Sequence, residues 1–359
     1  MIQIGINIAV KGAQVSGPPP SSPPVNSTLP VISGTTSVGS VLNTTNGTWT
    51  NSPSSFSYQW KRGATNIGTN TTTYTLVQAD AAQNITCVVT ATNAAGSTNA
   101  TSNILYIYDL DAQTFITNAT ISNSTEQQAI NNLVIGLKSD SLWTKMLAVY
   151  PFVGGTATTC KFNLKNPLDT DAAFRLDFQG GWTFSNDGIQ PNGTNTYADT
   201  FLAPLTHWTL GSSSISAYSR TNNVDGTGVF YGSRGVDFSS ALNPLINVSN
   251  VSIFHNQQLP IAPAPPTTTA LNFISSRINT TEIIVAYNGS TTNNASNVGN
   301  LSPASIYLSA RNNNNAVPAV LFSNRQLAFA HIGTGLTQAE CTLFYNRIQT
   351  FQTALSRNV

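Results

Sequence analysis

Apolar and polar positions alternate from the first residues onward. Ile2, Ile4, Ile6, Ile8 and Val10 interleave with Gln3, Gly5, Asn7 and Ala9, the period-two pattern of a strand with one apolar face. Residues 1–16 therefore read as a single strand. Residues 17–24 follow with Pro18, Pro19, Pro20, Pro23 and Pro24, which fix φ and donate no backbone hydrogen bond, so this piece reads as an extended polyproline linker. A lone strand cannot pair its own backbone and must join a sheet edge in this molecule or another. The five apolar residues are thus the candidate anchor.

Residues 25–107 carry short alternating runs between Gly, Asn and Ser turns: Ser57–Lys61, Thr73–Val77 and Asn84–Thr92. This rhythm predicts a small β-sandwich with Trp60 and Cys87 in its core. From Tyr108 the period changes. Ile130, Leu133, Val134 and Leu137 recur at helical spacing, and Ser124 with Gln127 suggests a capping box, so a helix is predicted over Thr125–Lys138, with a shorter one over Ser141–Met146.

Alternation then returns. Phe174, Leu176 and Phe178 oppose Arg175, Asp177 and Gln179, and further strands are predicted over Ser214–Arg220, Gly228–Gly232, Val251–His255, Leu271–Ser276, Glu282–Tyr287 and Ser305–Ala310. Thr337 to Glu340 form a second capping box, opening a helix with the stripe Phe344, Ile348, Phe351 and Leu355. The fold class expected is all-β: an anchor strand, a first sandwich over 25–107, and a larger sandwich with peripheral helices over 108–359.

Composition narrows the setting. Only 8% of the 359 residues are charged and the net charge is +1, against about 25% charged in ordinary soluble proteins. No basic cluster argues for nucleic acid or an anionic membrane, and no apolar run is long enough for a membrane helix. Cys87, Cys160 and Cys341 are widely spaced and odd in number, so buried thiols are expected rather than a disulfide framework or a CxxC metal site. The N-terminal apolar run lacks a basic leader, so no export signal is expected. Asn-x-Ser/Thr triplets, at Asn26, Asn43, Asn84 and Asn118 among others, are read as the chance product of this composition.

Two stretches resemble known families. The YQWK strand around Trp60, the approach from Asp80 to Cys87 and the TCVVTATNAAGS segment resemble an immunoglobulin-like domain of bacterial and phage type. The partner cysteine of that family is absent, and Leu42 or a neighbour is expected to pack against Cys87 in its place. Leu142–Gly155, Asn166–Gly188, Glu282–Ser290, Ser305–Asn312 and Phe322–Glu340 resemble the laminin G-like, concanavalin-type jelly rolls of tailed-phage structural proteins. That resemblance implies a virion protein: a head fibre, capsid decoration or tail appendage, bound to capsid or tail proteins through the anchor strand. It also implies a homo-oligomer, such as a trimer, displayed on the particle exterior.

Candidate chemistry is sparse. His207, His255 and His331 are far apart, with no HExxH, GxSxG or phosphate-loop motif, and the chain reads as a non-enzyme. Asp169 with Asp171, and Asp109 with Asp111, are the nearest approach to the paired carboxylates of a glycoside hydrolase. Asp169 and Asp171 are also the weak candidates for Ca²⁺, which takes six to eight oxygens; no calcium motif matches them residue by residue, and no metal or other cofactor is assigned. For a host surface glycan, the candidates are aromatic platforms beside amide and carboxylate groups: Trp182, Trp208, Tyr218 and Tyr231, with Asn186, Asp187, Asn192 and Asn195. The alternatives to a phage particle are a bacterial adhesin or secreted lectin, and then a capsule depolymerase.

Overall fold

The computed structural model describes residues 22–221, 228–235, 241–246, 251–256, 270–314 and 316–358. The anchor residues Ile2, Ile4, Ile6, Ile8 and Val10, and the linker as far as residue 21, lie outside them. The chain divides into two compact units, Met1–Ile107 and Tyr108–Val359, and is predominantly β.

In the first unit the long strand Asn84–Asn93 pairs antiparallel with Ser55–Arg62 on one side and Gly96–Thr101 on the other. A second small sheet joins Ile32–Ser33, Val41–Thr44 and Thr73–Thr75. Between them lie Ile32, Leu42, Trp60, Leu76, Ile85, Cys87 and Val89. Alternation along Asn84–Asn93 is complete, with Ile85, Cys87, Val89 and Ala91 all inward, as half-buried strands require. Trp60 is fully buried, stacks on Tyr74 at 5.6 Å and donates from Nε1 to Thr71 O at 2.9 Å. Leu42 shares this core with a reduced Cys87, so apolar packing stands where a disulfide would.

The second unit has three layers. One antiparallel sheet holds, in order, Thr183–Ser185, Gly188–Gln190, Leu327–Gly333, Ser213–Ser219, Leu271–Arg277, Glu282–Tyr287 and Ser290–Ala295, with Met146–Tyr150 also on Leu327–Gly333. Its central strands Leu327–Gly333, Ser213–Ser219 and Leu271–Arg277 are buried on both faces. Ile215, Ala217, Phe273, Ile283, Val285 and Ile332 point toward the second sheet, whereas Tyr218, Ile274, Ile284 and Phe329 point toward the helices. The second sheet runs Asp177–Gln179, Tyr197–Asp199, Tyr307–Leu308, Tyr231–Arg234, Leu242–Ile246 and Val251–His255, joined by Arg311–Asn313 and Ala316–Val320. The helices Leu110–Asn118, Ser124–Ser139 and Gln338–Ala354 cover the first sheet with Phe115, Ile130, Leu133, Val134, Leu137, Phe344, Ile348 and Phe351.

The terminal helix has the expected capping box. Thr337 N donates to Glu340 Oε2 at 2.8 Å, and Glu340 N donates to Thr337 Oγ1 at 3.3 Å. Other details differ from the sequence reading. The cap of Ser124–Ser139 is Asn123, not Ser124: its Oδ1 accepts from Thr125 N and Glu126 N, while Gln127 Nε2 donates to Ile121 O. Asparagine reaches two orphan N–H groups at once, and the box at Ser124 does not form. The expected helix at Ser141–Met146 is a single 3₁₀ turn, Trp143–Lys145. Phe174 is not in a strand; it ends the 3₁₀ turn Asp171–Ala173 at φ 58°, and the strand is only Asp177–Gln179. Ser305–Ala310 likewise shortens to Tyr307–Leu308, because Ser309 takes φ 61°.

Candidate functional site

Strand register builds the site. Asp177 lies opposite Asp199 and Gln179 opposite Tyr197, and Asp199 in turn lies opposite Tyr307. Cross-strand partners share a face, so Asp177, Gln179, Tyr197, Asp199 and Tyr307 form one patch. The intervening positions Ala198 and Leu308 are fully buried in the sandwich core, with Phe178 packed against it, which turns the patch outward.

Tyr197 and Tyr307 are diagonal neighbours and stack with ring centroids 4.4 Å apart and planes 15° from parallel. Both are half-buried. Burial and the nearby Asp199 charge push the Tyr307 hydroxyl up to about 12. Asp199 accepts from Phe201 N at 2.8 Å; burial, reinforced by the charges of Asp177 and Asp171, raises its carboxyl above the ordinary range. Asp177 Oδ2 accepts from Gln179 Nε2 at 2.9 Å. Among the described residues neither Asp177 nor Asp199 has an ion-pair partner. The result is an aromatic ledge flanked by two carboxylates and an amide, groups that suit a sugar face and its hydroxyls.

The residues proposed from sequence fall elsewhere. Trp208, Tyr218 and Tyr231 are buried core. The Tyr231 hydroxyl crosses the sandwich, donating to Ser216 O and accepting from His331 N, so it cannot face a ligand. Trp182 stays partly exposed, but its Nε1 donates to Gln179 O at 2.9 Å and its ring meets Phe178 edge-on at 5.4 Å; it borders the ledge and packs against the sandwich core. Asn192 Oδ1 organises a turn by accepting from Thr194 N and Asn195 N, and its Nδ2 donates to Asn195 Oδ1. Asp187 pairs with Arg220 at 2.5 Å, and Asn186 offers its backbone carbonyl to Arg357.

The carboxylate pairs are also structural. Asp169 is bound by Lys161 at 2.6 Å and Asp171 by Arg175 at 2.8 Å; they lie on a loop and a 3₁₀ turn, not on alternate positions of one strand. With cations already in place they suit neither Ca²⁺ nor acid–base chemistry. Asp109 caps Leu110–Asn118 and, with Asp111, holds Lys138. Among the described residues no group of three or more His, Cys, Asp or Glu side chains could hold a metal.

His255 and His331 are fully buried. They meet Ser213 and Ser214 respectively, consecutive strand residues that point to opposite faces. His207 sits apart, edge-on to Phe174 at 4.8 Å. Cys87, Cys160 and Cys341 are buried thiols, with Cys160 pushed up to about 11 and Cys341 to about 12 by burial.

No protein-family profile matches the chain, and no curated protein does. Among solved structures it is similar to a Trypanosoma rangeli sialidase mutant displaying trans-sialidase activity, at 8% identity and TM-score 0.41, covering 89% of this chain and 53% of that one. It is also similar to the binding domain of botulinum neurotoxin DC in complex with rat synaptotagmin II, at 11% identity and TM-score 0.40, covering 58% and 52%. The chain spans about half the length of each. Sialidases are enzymes, so the expectation of a non-enzyme is withdrawn. Likeness at this level transfers no residue roles.

Proposed function

We propose that this chain is a surface-displayed adhesion protein whose larger unit binds glycans, carried on the exterior of a tailed-phage particle. The observation that carries the adhesive part is the outward Tyr197–Tyr307 stack flanked by Asp177, Asp199 and Gln179. The particle assignment is supported by the low charge content, the phage-like segments and the alternating apolar N-terminus. In this reading the N-terminal strand adds to a sheet edge of a capsid or tail protein, and several copies per particle raise the avidity of weak sugar contacts.

The test is gold-labelled electron microscopy of the source culture with an antibody to residues 108–359, together with glycan-array binding of the full chain. Label on capsids or tails and array binding that is lost in Tyr307→Ala support the reading. Label confined to cell surfaces moves the protein to a bacterial adhesin. Sugar release from a bound glycan would make it a depolymerase.

A further inference from the structure

The corner of the second unit around Tyr197 holds four aspartates in two electrostatic states. Asp169 and Asp171 are matched by Lys161 and Arg175. Asp177 and Asp199 are directly opposed in strand register and have no cation among the described residues. Like charges facing each other across a strand pair destabilise a sheet. The fold nonetheless places them together, with Asp199 partly withdrawn from water and its two nearest donors, the Phe201 amide and Ser305, both neutral. Such departures from local electrostatic sense concentrate where something else completes the site.

The second element is aromatic. The Tyr197 and Tyr307 rings stack beside these carboxylates, and neither hydroxyl has a hydrogen-bond partner among the described residues. An electron-rich ring face next to uncompensated carboxylates is the combination that favours an ammonium group, through cation–π attraction and a charge-assisted hydrogen bond together. A neutral sugar would use the rings but leave the opposed carboxylates uncompensated. An acidic sugar would add a third negative charge.

We propose that the ledge selects glycans carrying free amino groups, with the ammonium between Asp177 and Asp199 and the sugar against the open side of the Tyr197–Tyr307 stack. This rests on the glycan-binding reading above and specifies its ligand class.

The experiment is calorimetric titration of the full chain with a glucosamine oligosaccharide and with its fully N-acetylated counterpart, which share a backbone and differ in charge. The amino form is expected to bind about tenfold more tightly, as one charge-assisted contact would give, with the advantage shrinking in high salt. Asp177→Asn and Asp199→Asn should each narrow that ratio, lowering affinity for the amino form more than for the N-acetylated form; either variant serves if the other fails to fold. Equal affinity for the two oligosaccharides, a preference indifferent to both substitutions, or a requirement for added Ca²⁺ would overturn the proposal while leaving sugar binding intact. Binding of neither form, with Tyr307→Ala indistinguishable from the parent on a wider array, sinks the glycan reading itself.

Discussion

His255 Nε2 lies 2.8 Å from Ser213 Oγ in the interior of the larger sandwich, and Nδ1 lies 2.7 Å from Ser275 Oγ on its other side. Both serines are fully buried, and Arg277 Nε donates to the His255 carbonyl at 2.8 Å. Burial, helped by the Arg277 charge, holds the imidazole pKa well below its ordinary value; His331 is pushed down to about 3 by burial. Both are therefore neutral in the fold. In the unfolded chain they take up protons below about pH 6.5. Their cost is absent above that pH and grows as the pH falls toward the folded values, with a limiting slope of about 1.4 kcal/mol per pH unit for each. Urea denaturation at a series of pH values from about 7.5 to 5 should show stability falling on the acid side; an unchanged midpoint would refute the assignment of two neutral buried histidines.

His331 allows the two contributions to be separated. Its Nδ1 has no hydrogen-bond partner among the described residues, its Nε2 is 3.5 Å from Ser214 Oγ, and its ring meets Phe344 at 4.7 Å. An apolar ring at this position removes an unmet polar atom without removing a good hydrogen bond. His331→Phe is expected to be neutral or stabilising at neutral pH and to flatten the acid limb by about half. Destabilisation by more than about 2 kcal/mol would show that the imidazole has a partner that matters.

Short β-type runs made the long strands legible. Glu282–Tyr287 was readable to the residue and Leu271–Arg277 to within one, because strands buried between two apolar layers carry strong signals on both faces. The terminal helix was equally plain, since Thr337 and Glu340 announce its start. Phe174 to Phe178 misled because a left-handed residue ordinarily signals itself by Gly or Asn, and here it is Phe174. The site was hidden for a different reason. Tyr197-Ala198-Asp199 and Ile306-Tyr307-Leu308 each show outward polar or aromatic positions around buried ones, but only the pairing through Asp199 and Tyr307 joins them. Sequence proximity instead drew attention to Trp182 with Asn192 and to Asp169 with Asp171, which turn geometry and ion pairs account for.

Arg357 pins the end of the last helix to the sandwich. It is 1% exposed and donates to the carbonyls of Pro151, Phe152 and Ala328 and to Gln352 Oε1. Burial pushes its pKa down to about 10, so it remains charged at neutral pH. Arg357→Ala strands several buried carbonyls at once, and a loss of about 3 kcal/mol or more is expected in denaturant titration. A change below about 0.5 kcal/mol would mean that water reaches those carbonyls and replaces the side chain.

The Tyr197–Tyr307 stack gives the prediction closest to function. Neither ring belongs to the fully buried core, so truncating one should cost little stability, whereas a core aromatic such as Trp60 should cost the smaller unit about 3–5 kcal/mol when replaced by alanine. Tyr307→Ala is expected to weaken oligosaccharide binding about three- to tenfold, the size of one aromatic contact, and Tyr307→Phe to retain most of it. Binding of the N-acetylated oligosaccharide, which has no ionisable amine, should stay level from neutral pH up to about 10, because the Tyr307 hydroxyl is held near 12. On the acid side the raised Asp199 carboxyl gains its proton at a higher pH than an ordinary aspartate, so any part of the affinity that depends on its charge should fade at a higher pH than an ordinary aspartate would give. Titration of the parent and both tyrosine variants across that range measures each element: loss in Tyr307→Phe equal to that in Tyr307→Ala would assign the contact to the hydroxyl rather than the ring face, and a flat acid limb would remove Asp199 from the site.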